Sequence, residues 1–162
     1  MSLNMVQDFC GDLMIVVHTD RAPSDEEWAR YVTAVERMDP EKMRTIVFTD
    51  GGAPNLEQRE AINRALGGKT SPGAVVSNSM LVRGAVTALS WFNPKIKAFS
   101  PSGTAAAFTY LGVPEVAVPD VWVMVKRLQH RLGAPRLQCI VSPAPISAAV
   151  RRLNGESPAP PR

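Results

Sequence analysis

Short apolar runs and segments with helical periodicity alternate along the chain. The runs LNMVQDF (residues 3–9) and LMIVVHT (residues 13–19) are joined by Cys10-Gly11-Asp12, a short glycine-containing turn that predicts a β-hairpin. RTIVF, GAVVSNS and IKAF predict three further strands, and a segment with helical periodicity follows each of them. A hairpin followed by repeated strand and helix units predicts an α/β domain with a mixed, mostly parallel sheet.

Two of the predicted helices carry capping signals, and the second also carries a stop signal. PSDEEWARYVTAVERMD has apolar side chains at helical spacing and acids near its start, and Ser24 or Asp25 is its expected cap. NLEQREAINRALGG is expected to begin after Asn55, which stands three residues before a glutamine, and to end at Gly67. Its inward side chains are predicted to be Leu56, Ile62, Ala65 and Leu66.

The last part of the predicted domain contains two helices and is followed by a proline-rich tail. SGTAAAFTYLG predicts a short helix that starts at Ser100-Pro101. Asp120 is the expected cap of VWVMVKRLQHRLG, a helix with one apolar stripe for docking. That stripe consists of Val121, Trp122, Val125, Leu128 and Leu132. We expect residues 1–133 to form the domain and residues 134–162 to form a flexible tail.

The segment MLVRGAVTALSWFN, residues 80–93, is apolar on almost every side of its predicted helix. Such a helix is either deeply buried or covered by a partner, and at a surface it is an interface. We therefore predict a homodimer or a stable complex with another protein. The predicted interface residues are Val82, Val86, Leu89, Trp91 and Phe92.

Composition narrows the class of protein. The 162 residues, of which 45% are hydrophobic and 20% charged, are typical of one globular domain. Nothing near 18 consecutive apolar residues occurs and the N-terminus does not read as a secretory signal, so a cytoplasmic location without a membrane span is expected. Cys10 and Cys139 stand far apart without a metal-binding motif. Part of the net charge of +3 lies in VKRLQHRLGAPR and the tail, without any known nucleic-acid motif, so nucleic-acid binding is not expected.

Polar residues follow three of the predicted strands. In an open parallel sheet, ligands gather outside the carboxyl ends of the strands, where helix N-termini present free N–H groups. A small anion or a lipid could bind there, with Arg83 as the charge partner of an anion. The candidate ligand-binding residues are Asp50, Gly51, Ser77, Asn78, Ser79, Arg83, Ser100 and Ser102. The alternative is that Asp50-Gly51-Gly52 is only a bend from strand to helix and that the other polar residues are helix caps.

No motif for catalysis or for a cofactor accompanies these residues. A GxSxG nucleophile elbow, a phosphate-binding P-loop and a dinucleotide fingerprint are absent. His18 ends an apolar strand, and His130 lies on the charged side of the last helix. A phospho-receiver domain would use an aspartate at a strand end, as Asp50 is, but the rest of its acidic and lysine set is incomplete. We expect no enzymatic activity, no cofactor, no metal site and no phosphorylation of Asp50.

The order strand, strand, helix and then three repeats of strand and helix resembles the STAS/SEC14-like domain, which occurs in bacterial anti-sigma-factor antagonists and in stand-alone relatives. ALSWFNPKIKAFSPSGTAAAFTYLG, with a strand ending at Phe99 and a helix ending at Tyr110-Leu111-Gly112, is similar to the closing part of the stand-alone members. The resemblance covers about residues 3–132. It implies a regulatory module for protein interaction or ligand sensing, usually without catalytic activity.

The phosphorylation switch of those antagonists does not carry over to this sequence. The resemblance implies a phosphorylated serine in an Asp-Ser-Ser/Thr-Gly type motif where a central strand meets a helix. The corresponding segment here reads Thr49-Asp50-Gly51-Gly52, so the acceptor serine is missing. Thr49 precedes the acid and has the position of a strand residue.

Overall fold

Five strands form one mixed sheet in the described part of the chain. The structure is a computed structural model that describes residues 3–89, 93–134 and 136–143, without the side chains of residues 88 and 89. The strands are β1 (Met5–Cys10), β2 (Leu13–His18), β3 (Arg44–Thr49), β4 (Gly73–Val76) and β5 (Ile96–Phe99). They lie side by side in chain order; β1 pairs antiparallel with β2, and the other neighbours are parallel. The predicted α/β class with an N-terminal hairpin is confirmed.

Helices follow four of the five strands, as the alternating pattern predicts. The helices are α1 (Asp25–Glu36), α2 (Leu56–Leu66), α3 (Met80–Leu89), α4 (Thr104–Tyr110) and α5 (Val118–Arg131). Short 3-10 helices at Pro101–Gly103 and Glu115–Ala117 lead into α4 and α5. Among the described residues, no helix combines the length and the hydrophobicity needed to cross a bilayer.

The two faces of the sheet are covered by different helices. Because alternate residues of a strand point to opposite faces, the strand register assigns each side chain to one of two cores. Ile15, Ile46 and Ala74 are register neighbours and lie in the core with α4 and α5. Val16 and Val47 point to the other face, where α1 and α2 pack. Since β2 to β5 are parallel, their carboxyl ends meet at one side of the molecule, which we call the carboxyl edge.

The predicted caps of α1 and α2 are confirmed. Ser24 and Glu27 form a capping box at the start of α1, in which each side chain accepts a hydrogen bond from the other residue's backbone. Asn55 and Gln58 form the same arrangement at the start of α2. Gly67, at φ 57°, ends α2 in the left-handed conformation that glycine adopts without strain. Both helices therefore start where their capping signals lie, and α2 also ends at its predicted residue.

Two details of the predicted helices were wrong. Leu56 was expected to point inward, but its side chain is exposed. At about 100° per residue it lies about 120° around the helix from Ile62, which packs against the core that α1 and α2 cover. Asp120 was expected to cap α5, but the helix begins earlier, at Val118, because the 3-10 turn Glu115–Ala117 runs directly into it. Asp120 therefore lies inside the first turn, where its charge still favours the helix dipole.

The apolar stripe of α5 is confirmed, since all five of its predicted members are buried. Packing also continues past residue 133, where the sequence predicted the end of the domain. Leu137 and Cys139 are buried in the core that α4 and α5 cover. Residues 136–143, called the C-terminal strap below, therefore pack against the domain. Ala134 also packs against this core, and residues 135 and 144–162 of the predicted tail lie outside the described residues.

Candidate functional site

The segment Asp50-Gly51-Gly52 is a tight bend between β3 and α2. The backbone N–H of Gly51 donates to Oγ1 of Thr49 over 3.1 Å, and that hydroxyl donates to the carbonyl of Gly52 over 2.8 Å. The N–H of Gly52 donates to the carbonyl of Thr19, in the loop after β2, over 3.0 Å. Gly51 has φ 143°, a conformation that strongly favours glycine. These bonds give the segment a structural role that accounts for both glycines.

The carboxylate of Asp50 holds the C-terminal strap. Its Oδ2 accepts a hydrogen bond from the backbone N–H of Gln138 over 2.9 Å, and its Oδ1 accepts one from Cys139 over 2.7 Å. Hydrogen bonds to an ionised acceptor are among the stronger ones in proteins. Sequence reasoning missed this contact because its partners are 88 and 89 residues away along the chain. Asp50 thus fixes the C-terminal strap to the carboxyl edge of the sheet.

We expect Asp50→Ala to loosen the strap while the rest of the domain stays folded. Losing both charge-assisted hydrogen bonds should lower the free energy of local opening by about 1.5 kcal/mol, which corresponds to about tenfold more frequent exposure of the strap. Because Cys139 is fully buried, its rate of labelling by a thiol reagent reports that opening. Asp20→Ala, in the neighbouring exposed loop, is the matched control. Equal labelling rates in wild type and Asp50→Ala would show that Asp50 does not hold the strap.

The polar residues after β4 are engaged within the chain. Asn78 donates from Nδ2 to Oε1 of Gln138 over 3.2 Å, so it also contacts the strap. Ser77 is fully buried, and its Oγ accepts the N–H of Ser79 over 3.1 Å. Ser79 in turn accepts the N–H of Val82 over 3.3 Å, which makes it the cap of α3. Helix capping, the alternative that the sequence offered, therefore describes Ser79, whereas Asn78 bonds the strap and Ser77 bonds the residue before the helix.

The remaining members of the predicted anion site make separate contacts in the described structure. The hydroxyls of Ser100 and Ser102 lie 3.0 Å apart and bond to each other. Nη2 of Arg83 lies 2.7 Å from Sδ of Met80, and its buried Nε has no partner among the described residues. Among the described residues, no hydrogen bond links Arg83 to Ser100 or Ser102. The carboxyl edge therefore joins Asp50 to Asn78 through the strap, whereas Arg83 turns toward its own helix.

The predicted interface on α3 divides into buried, partly exposed and undescribed positions. Val86 is buried and Val82 half-buried. The side chain of Leu89 and the whole of Trp91 and Phe92 lie outside the described residues. The exposed apolar side chains at the start of α3 are instead Met80 and Leu81, which are 75% and 87% exposed. Sequence reasoning overlooked that both residues lie in the first turn of α3, where the rest of the domain leaves their side chains exposed.

The buried titratable groups do not form a reactive cluster. Burial lowers the pKa of His18 to about 4, while the nearby negative charge of Glu27 opposes that shift. Burial raises the pKa of the Cys139 thiol, and Asp50 raises it further, so the thiol is a poor nucleophile at neutral pH. Within residues 3–89, 93–134 and 136–143, no group of three or more metal-ligating side chains is placed to hold an ion.

Comparison with models of protein families, with curated proteins and with solved structures found no match. The resemblance to the STAS/SEC14-like domain therefore stays a prediction from the sequence.

Proposed function

We propose that this chain is a non-catalytic, regulatory protein-interaction module of STAS-like type, and that the start of α3 is its contact surface. The observation that carries the proposal is the exposure of Met80 and Leu81, at 75% and 87%, side by side on one helix. Large apolar side chains exposed next to each other are typical of interaction sites. The order of strands and helices agrees with the expected architecture and supports the same interpretation.

The chemistry of α3 favours a protein partner. Its exposed side also carries Gly84 and Ala85, and Arg83 is the only charged residue of the helix. Burying a leucine or methionine side chain contributes about 1.5–3 kcal/mol. A partner that covers Met80 and Leu81 would therefore gain a large part of its affinity from these two residues.

The alternative function, binding of a small anion or lipid at the carboxyl edge, has less support. The side chains of Asp50 and Asn78 form hydrogen bonds with the strap, and the hydroxyl of Ser79 caps α3. A ligand would have to displace these internal contacts before it could bind. We therefore place protein interaction first and do not assign a ligand.

Leu81→Glu is expected to abolish partner binding without unfolding the protein. Placing a carboxylate in an apolar contact desolvates a charge without a partner, so affinity should fall by about a hundredfold or more. Binding would be measured by quantitative capture from a lysate of the native organism, followed by titration of the recovered partner. Val116→Glu is the matched control, because Val116 is 85% exposed on the separate 3-10 turn before α5.

The proposal fails if the two variants capture the same proteins with the same affinity as wild type. A circular dichroism spectrum and an unfolding temperature like those of wild type are required of both variants. With those in hand, a loss of binding in Leu81→Glu alone assigns the contact surface to α3.

A further inference from the structure

The β5 edge of the sheet presents backbone groups that no described residue pairs. The N–H of Gly73 donates to the carbonyl of Lys95, and the N–H of Ser77 donates to that of Phe99. In a parallel pair these bonds recur at every second residue, so Lys97 and Phe99 direct their backbone toward β4. Ala98 therefore directs both its N–H and its carbonyl away from the sheet. The N–H of Ile96, the other outward residue of β5, already donates to the carbonyl of Asn93 over 3.1 Å. Unpaired groups such as those of Ala98 at the edge of a sheet are a template for another strand.

The opposite edge of the sheet, β1, is partly occupied by the chain's own carboxylates. The N–H of Thr19 donates to the carbonyl of Asn4. In an antiparallel pair, residues that bond the neighbouring strand alternate with residues that face outward, so Met5 and Phe9 direct their N–H groups outward. The N–H of Met5 donates to Glu27 over 3.3 Å, and that of Phe9 donates to Oδ1 of Asp8 over 2.9 Å. Two of the outward N–H groups of β1 are thus occupied, whereas the outward N–H of Ala98 on β5 has no partner among the described residues.

The unpaired edge lies next to the exposed helix α3. Val86 and Thr87 of α3 line a shallow groove of about 250 Å³ with Ile96, Lys97 and Ala98 of β5. Lysine side chains on an edge strand often prevent pairing with another strand. The side chain of Lys97 points away from the β5 edge instead, and its Nζ lies 4.4 Å from the ring centre of Tyr110 on the other face of the sheet. A partner that adds to β5 is thereby brought beside α3.

We infer that a second copy of this chain is the partner, and that it adds its own β5 antiparallel to this β5. The inference rests on the proposed function, because it uses the exposed side of α3 as part of the contact. A two-fold axis at Ala98 pairs the outward N–H and carbonyl of Ala98 with the same groups of the second copy. Two five-stranded sheets then form one continuous sheet, and the two α3 helices lie side by side on one face.

Three features favour a second copy over an extended peptide. Pairing of a four-residue strand alone buries much less surface than the roughly 800 Å² per partner that stable complexes bury, so α3 has to contribute to the contact. A peptide added to β5 leaves Met80 and Leu81 exposed, whereas a second copy brings an equally apolar helix. In this register Lys97 faces Phe99 of the second copy, so the two lysines do not oppose each other.

Paired cysteine variants test both the partner and the register. In the inferred dimer, the two Cα atoms of residue 98 are about 5.5 Å apart, within the range of a disulfide, whereas those of residue 97 are offset by two positions along the strands. With Cys10→Ser as background, Ala98→Cys should form covalent dimers under mild oxidation at least about tenfold faster than Lys97→Cys. Sedimentation equilibrium of the wild type should show a concentration-dependent dimer, and Leu81→Glu should weaken it.

The outcomes separate this inference from the proposed function. Equal cross-linking of the two cysteine variants, or a wild type that is monomeric at every concentration, overturns pairing through β5. If the wild type is monomeric and Leu81→Glu still abolishes capture of a different protein, the proposed function stands with another partner. If Leu81→Glu changes neither self-association nor capture, the proposed contact surface itself is wrong.

Discussion

Gly52→Ala is expected to lower the free energy of unfolding by about 3 kcal/mol or more, enough to remove a large part of the stability of a typical domain. A Cβ atom at this position would lie 2.2 Å from the carbonyl oxygen of Arg21 and 2.8 Å from that of Thr19. Both neighbours are backbone atoms, so no side-chain rotation relieves the overlap. The loop after β2 or the bend after β3 would have to move, which also disrupts the bond from Gly52 N–H to Thr19.

Thermal and denaturant unfolding measure this effect. A loss of about 3 kcal/mol corresponds to a fall of about 6–12 °C in the unfolding temperature of a domain of this size. Gly84→Ala is the matched control, because a Cβ added at Gly84 meets no atom within 4 Å and the residue lies inside helix α3. There the same substitution should raise stability by up to about 1 kcal/mol. If Gly52→Ala unfolds at the wild-type temperature, the two loops are not in contact as described.

The contrast between these glycines shows what the sequence can predict about the bend. Asp50-Gly51-Gly52 follows an apolar run and precedes a capped helix, and those local signals correctly predict a change of direction. The need for glycine at position 52 is not local, because it comes from a loop about thirty residues earlier in the chain. Tertiary contacts of this kind leave no periodicity in a single sequence.

The same limit applies to the candidate site. Helical periodicity predicted the docking stripe of α5, and capping signals predicted the starts of α1 and α2, since both depend on neighbours within a few residues. The role of Asp50 depends on the strap, whose proline-rich sequence suggested a tail without structure. Leu137 and Cys139 are too few and too closely spaced to produce a recognisable pattern, yet both are buried. An aspartate that appeared to be a possible binding residue is therefore an anchor for the chain's own strap.

The stability of this protein is expected to fall by about 3 kcal/mol as the pH decreases from 6.5 to 4, because of His18. Its imidazole is 4% exposed, and its Nδ1 has no partner among the described residues. Burial therefore lowers its pKa from 6.5 to about 4, and the charge of Glu27 opposes the shift only in part. Between these two values the unfolded chain binds a proton that the folded chain does not bind. Protonation then favours the unfolded state, and the loss ends once both states are protonated.

A second acidic transition should follow at lower pH. Although burial alone would raise the pKa of Glu27, its hydrogen bonds with Ser24, Asn4 and Met5 outweigh burial and lower that pKa below its ordinary value of 4.5. This carboxylate therefore stabilises the fold above that value, and its contribution is lost as the pH falls further. The region between pH 6.5 and 5 isolates the histidine, since Glu27 stays ionised there in both states.

Denaturant unfolding at constant ionic strength across that region is the measurement, and His18→Leu is the informative variant. Leucine removes the proton-binding group and leaves no buried polar atom without a partner, so the free energy of unfolding should lose most of its slope with pH. His130→Gln is the matched control, because His130 is exposed on α5 and the substitution also removes one of the two histidines. Wild type and His130→Gln should lose stability together as the pH falls, while His18→Leu should not. A slope that survives in His18→Leu would assign the acid sensitivity to groups other than the buried imidazole at the end of β2.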